Sequence, residues 1–161
     1  MKETPVTARG SPRSVEIAAE GVRVPRGLKR LSAFCAVVLR EAGYSSWTVS
    51  ILLCGDERIT ALNKRYRRRS EPTDVLSFPE EEGRKGDPVA GDIAISLDAL
   101  RRNAVQFDVP QNEEMKRLLV HGLLHLAGMN HGEGRGGKML VLQEKLLGML
   151  QSERIYGGTR T

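Results

Sequence analysis

The sequence predicts an α+β fold, α/β-like in character, with helices packed on a small β-sheet of about four strands. Three observations carry that expectation. Short runs rich in β-branched and apolar residues alternate with longer stretches of helical periodicity, the two kinds interleave along the chain, and no internal repeat stands out. At 161 residues the chain suits one domain able to bury a proper hydrophobic core.

Residues 1–13 mix Pro, Gly, Thr and charge and predict a disordered leader. A single domain is expected over 14–155, with 156–161 as a C-terminal tail. The domain opens with a short strand, Ser14–Ala18. Pro25 then begins a helical pattern that stops at Gly43, with proline just inside the start and glycine past the end. Trp47–Cys54 (WTVSILLC) has the composition of a buried strand. Asp56 can cap a helix running to Tyr66. Thr73–Phe78 is the next strand, and EEEGRKGDPVAG after it is a charged, glycine-rich loop. Gly91–Ser96 is a further strand, and Asp98–Phe107 a short amphipathic helix that stops before Pro110. Asn112–Ala127 is a strong helical run with Glu113 and Glu114 in its first turn, where the helix dipole favours negative charge. His131–Gly137 is loop, and Lys138–Ile155 is a final leucine-rich helix.

Composition narrows the function classes. The apolar share of 40% is ordinary, and the aromatic share of 4% leaves the core to Leu, Val and Ile. No stretch approaches the roughly 18–20 apolar residues of a membrane span, and the N-terminus lacks a signal-peptide apolar run. A cytoplasmic protein without a membrane partner is expected. Cys35 and Cys54 form neither a CxxC pair nor a disulfide framework, so both fit small buried hydrophobes, with a Cys54 thiolate acting as ligand or nucleophile as the alternative. A net charge of +5 and a pI near 9.5 favour polyanionic partners without naming one.

All three histidines of the chain lie in one segment, HGLLHLAGMNH. His121 and His125 are an i, i+4 pair on a helix, so their imidazoles share one face at Cβ separations of roughly 5–6 Å. Gly128 lets the chain turn after the helix and bring His131 back as a third ligand. The H-x-x-x-H-x-x-G-x-x-H spacing equals that of the metzincin zinc helix. Three neutral nitrogens leave a fourth position for water, whose pKa zinc lowers to about 7. One ion per chain is expected at His121, His125 and His131. Gly122 stands where metzincins carry a general-base glutamate, which argues against peptide hydrolysis by that route.

Beyond the histidine segment, LNKRYRRRSEPTDVLSFP (Leu62–Pro79) and GDIAIS (Gly91–Ser96) complete a joint pattern. Together these motifs resemble the YbeY family of bacterial rRNA-maturation endoribonucleases, from about Trp47 to Ile155. The resemblance implies a mostly parallel mixed sheet surrounded by helices. It implies a metal-dependent hydrolase that acts on single-stranded RNA, with a role in small-subunit rRNA 3′-end processing and ribosome quality control. RNA and the small ribosomal subunit are the implied partners; no role with DNA is predicted. The family's zinc histidines match His121, His125 and His131, and its functional arginine matches Arg67. Two residues depart from the family pattern: Asn130 replaces the usual Asp before the third histidine, and Met129 replaces a common aromatic.

KRYRRR (Lys64–Arg69) suits a helix C-terminus by its charge alone. Next to a metal site it also suits a phosphate-binding strip, with Arg67 as a bidentate clamp. Tyr66 could stack on an unpaired base, although burial under its helix is the simpler expectation. Asp74 and Asp92, at strand edges, are candidate general bases beside their ordinary capping role. Met139 could lie under the metal or simply fill the core. Two other functions remain open at this level: a ribosome-assembly RNA-binding factor with a non-catalytic metal site, and a zinc peptidase-like hydrolase.

Overall fold

The computed structural model describes residues 12–80, 88–129 and 137–157. Its elements follow one another as β1 (Arg13–Ala19), α1 (Leu28–Glu41), β2 (Trp47–Cys54), α2 (Asp56–Arg67), β3 (Val75–Pro79), β4 (Val89–Ser96), α3 (Leu97–Gln106), α4 (Gln111–Leu126) and α5 (Lys138–Met149). The sheet order is β1-β2-β4-β3, with β1, β2 and β4 parallel and β3 antiparallel to β4. The fold is thus α+β, a mostly parallel mixed sheet packed with helices.

Strand alternation decides which helix covers which face. Trp47, Val49, Ile51 and Leu53 of β2 and Val89, Ile93 and Ile95 of β4 point to one side. There they meet Leu31, Phe34 and Val38 of α1 and Leu119, Val120 and Leu123 of α4. Cys54, Leu76 and Ala94 point the other way, onto Ile59 of α2. Both cysteine thiols are buried, and desolvation pushes Cys35 up to about 12 and Cys54 up to about 11. A Cys54 thiolate is therefore excluded at neutral pH, as the packing reading requires.

Tertiary contacts shift several boundaries from their sequence expectations. The first helix begins at Leu28, not Pro25, because Pro25 is buried ahead of it and Gly27 is the N-cap. The fourth strand begins at Val89, inside the expected loop, because Val89 and Ala90 pair with Trp47 and Thr48. Asp56 is not the cap of α2. Its own backbone N–H donates to Asp98 Oδ2 at 2.8 Å, so α3 supplies the cap. The Asp56 carboxylate instead accepts from Arg102 Nη1 at 2.6 Å and Ser96 Oγ at 2.9 Å, and the Arg102 hydrogen bond holds its pKa below the usual carboxylate range.

The last helix ends at Met149, not Ile155. Beyond it the chain folds back over α4, where Ile155 and Tyr156 are buried. The backbone N–H groups of Ile155 and Tyr156 donate to Asn112 Oδ1 at 2.7 and 3.0 Å. Lys116, fully buried on α4, donates from Nζ to the carbonyls of Leu150 and Gln151, each at 3.1 Å, and to Glu113 Oε1 at 2.9 Å. Three acceptors thus meet the three donors of one ammonium, the condition under which such a group can be buried. The expected leader lies almost wholly outside the described residues. Among those residues, no helix is long and apolar enough to cross a membrane.

Candidate active site

α4 lies against β3 and β4 because Gly122 lets it. A Cβ added there would sit 3.2 Å from both Val75 Cγ2 and Ile93 Cγ2, tighter than packed carbons normally come. The Gly122 carbonyl also accepts a hydrogen bond from Ser77 Oγ of β3 at 2.9 Å. Position 122 therefore faces the sheet. The glutamate that metzincins carry there would be driven into Val75 and Ile93, so the missing base is a matter of packing as well as chemistry.

With Gly122 turned inward, the neighbouring helix face presents His121 and His125 to a cleft of about 540 Å³, lined also by Arg67, Ser77 and Pro79. The two imidazole rings lie edge to face, with centroids 4.6 Å apart and planes at 73°. Behind them, the buried Gln143 of α5 places Oε1 3.0 Å from His121 Nδ1. After α4, Gly128 takes a left-handed conformation (φ 91°) that turns the chain, as its position in the motif requires. His131 and Asn130 lie outside the described residues. Among those described, the histidines form a pair rather than a three-ligand cluster.

Arg67 reaches the same cleft from the other side. It is the last residue of α2, and its Nη2 donates to the Ser77 carbonyl at 2.8 Å, with the guanidinium 5.8 Å from the Phe78 ring centroid. Ser77 thus touches both walls, Arg67 through its carbonyl and α4 through its hydroxyl. Lys64–Arg69 is exposed throughout. Tyr66, expected under its helix, is 55% exposed. It tilts against Phe78 with centroids 5.2 Å apart and carries the Arg65 guanidinium 5.3 Å from its own.

The aspartates go elsewhere. The Asp74 carboxylate accepts from Asn103 Nδ2 at 3.1 Å and Arg117 Nη2 at 3.3 Å. Arg117 also grips the buried Glu114 at 2.6 and 2.8 Å, and that carboxylate raises the Arg117 pKa. This cluster ties the start of β3 to α4. Asp92 is exposed on the opposite sheet face, where it lines a second cavity of about 580 Å³ with Tyr66 and Phe78. Neither aspartate lines the histidine cleft. Met139 is a core residue.

Ser77 and Gln143 escaped the sequence reading. A serine inside a strand run carries no signal of its own. Gln143 carries a faint one, since it falls on the helix face of Met139, Leu146 and Leu150, where an apolar residue belongs.

The family model described as Endoribonuclease YbeY matches residues 22–151. The chain is 44% identical over 133 residues to the Endoribonuclease YbeY of Treponema denticola, an alignment covering 79% of this chain and 86% of that one. It is 42% identical over 140 residues to that of Treponema pallidum, covering 83% and 87%. Among solved structures, the solution structure of TM1509 from Thermotoga maritima superposes with a TM-score of 0.59 at 27% identity, covering 86% of this chain and 93% of that one. With the family model matching most of the chain and the two Treponema relatives more than 40% identical over most of their length, the chain belongs to the YbeY endoribonuclease family.

Proposed function

We propose that the cleft between α4 and β3 cuts single-stranded RNA, with one zinc ion per chain held by His121, His125 and His131 and with Arg67 as the phosphate clamp. The observation that carries this reading is the convergence of His121, His125 and Arg67 on one cleft from two separate helices. Family membership supplies the reaction class, a metal-dependent endoribonuclease. The biological substrate in this reading is the 3′ end of small-subunit rRNA, with the small ribosomal subunit as partner, ribosome quality control as the setting and the cytoplasm as the location.

The residues fit the ion. Imidazole nitrogen is a preferred zinc donor, an i, i+4 pair presents two such nitrogens on one face, and the hydrogen-bond partner of His121 Nδ1 is the kind that zinc-binding histidines use. When bound, zinc supplies Lewis-acid chemistry at a phosphoryl oxygen and lowers the pKa of a coordinated water. Arg67, oriented by the Ser77 carbonyl, holds the phosphate through its remaining N–H donors and stabilises the charge that builds on it. The exposed cations of Lys64–Arg69 extend the phosphate track beyond the cleft. Gly122 takes no proton, so the proton acceptor is a group outside that position.

Single-turnover cleavage of a single-stranded RNA, with and without chelator, tests this beside metal analysis of wild type and the double variant His121→Ala/His125→Ala. Cleavage should stop on chelation, and the folded double variant should hold no zinc. Unchanged cleavage by stripped protein, or full zinc occupancy in the double variant, rejects the assignment. Zinc binding without cleavage would favour the ribosome-assembly factor instead.

A further inference from the structure

We infer that Gln143 is a positioning residue for the metal centre: its side-chain oxygen sets the His121 tautomer that leaves Nε2 open to zinc. The inference deepens the zinc reading above and rests on it.

Gln143 is an anomaly in its helix. It sits on the face of α5 that buries Met139 and Leu146, and it is itself only 5% exposed. A primary amide in such surroundings is unfavourable unless it is hydrogen-bonded. Its Oε1 lies 3.0 Å from His121 Nδ1. An amide oxygen offers lone pairs and no proton, so the ring must be the donor. A neutral imidazole carries one N–H, and with that proton on Nδ1 the lone pair is on Nε2. Had the amide turned its nitrogen inward, it would donate to Nδ1, the ring proton would move to Nε2, and that nitrogen would be closed to a metal. The oxygen-inward amide therefore selects the binding form before any ion arrives, and fixes the ring plane as it does so. Glutamine does this without burying a charge in the metal-free protein, which a carboxylate would.

A merely structural tie between α5 and α4 would affect folding stability alone. The tautomer and the zinc affinity separate the two roles. The experiment takes the full chain stripped of metal and records His121 ring ¹⁵N shifts. Zinc affinity is then titrated against a competing chelator for wild type, Gln143→Leu, Gln143→Glu and His121→Ala. Wild type should show the Nδ1–H form. Gln143→Leu should show a mixture of tautomers and bind zinc about 10–100-fold more weakly. Gln143→Glu keeps an acceptor at the same place and should bind at least as tightly as wild type. Wild-type tautomer and affinity in Gln143→Leu would overturn the inference. Should that variant not fold, weakened zinc binding by Gln143→Glu would overturn it instead. His121→Ala binding zinc like wild type would mean that the zinc reading itself is wrong, so the two failures are told apart.

Discussion

Arg67 meets β3 through a backbone carbonyl, and that detail determines which substitutions can replace it. Lysine can reach the Ser77 oxygen or a phosphate, but as a point charge it cannot copy a planar fork that does both. Arg67→Ala and Arg67→Lys should both lose cleavage, by about 2–4 kcal/mol of transition-state stabilisation for a removed donor of this kind. Both should fold normally, because the residue is the exposed last turn of α2. Single-turnover rates beside thermal melts check this, and a wild-type rate in Arg67→Lys would remove the clamp role. The shared helix face of His121 and His125 was legible in the sequence because i, i+4 spacing is a local property, whereas Arg67 was singled out through the family resemblance and the cleft that joins all three had no local trace. Gln143 was not legible, because its partner lies on another helix. Tyr66 was misjudged because its neighbours, Phe78 and the Arg65 guanidinium, cover only part of the ring and leave it 55% exposed.

α4 makes the site by lying close to the sheet, and Gly122 is the condition for that closeness. Gly122→Glu, which restores the metzincin residue, should not create a protease. It should instead lift the helix from Val75 and Ile93 and bury a carboxylate among apolar groups. A loss of at least about 3 kcal/mol is the expected scale for that combination. Urea denaturation measures it, and a variant as stable as wild type would mean that the helix has room to spare. At this scale the sequence was informative about interiors and poor at ends. β2 and α4 are strongly patterned and were legible almost to the residue. The cap of α2 and the end of α5 were not, because distant side chains determine them: Asp98 caps α2, and Asn112 and Lys116 draw the chain away from α5. A capping aspartate 42 residues away leaves no local trace.

For the whole molecule, composition and alternation pointed to α+β, whereas the mostly parallel, mixed character of the sheet came from the family resemblance. Strand order is set by which faces must be buried, and β4 lies between β2 and β3 because both its faces carry apolar residues. The segment after α5 closes the same core. Ending the chain at Met149 would remove Leu150, Ile155 and Tyr156 from it and take two acceptors from the buried Lys116. Each such apolar side chain contributes about 1.5–3 kcal/mol, against a total stability on the order of 5–15 kcal/mol. The truncated chain should show no cooperative melt by circular dichroism; a transition within a few degrees of wild type would disprove this. Translation gives that closure an order in time. The histidine helix is made before the residues that pin it, so a half-made chain has α4 with its buried lysine still lacking the two carbonyls it will donate to.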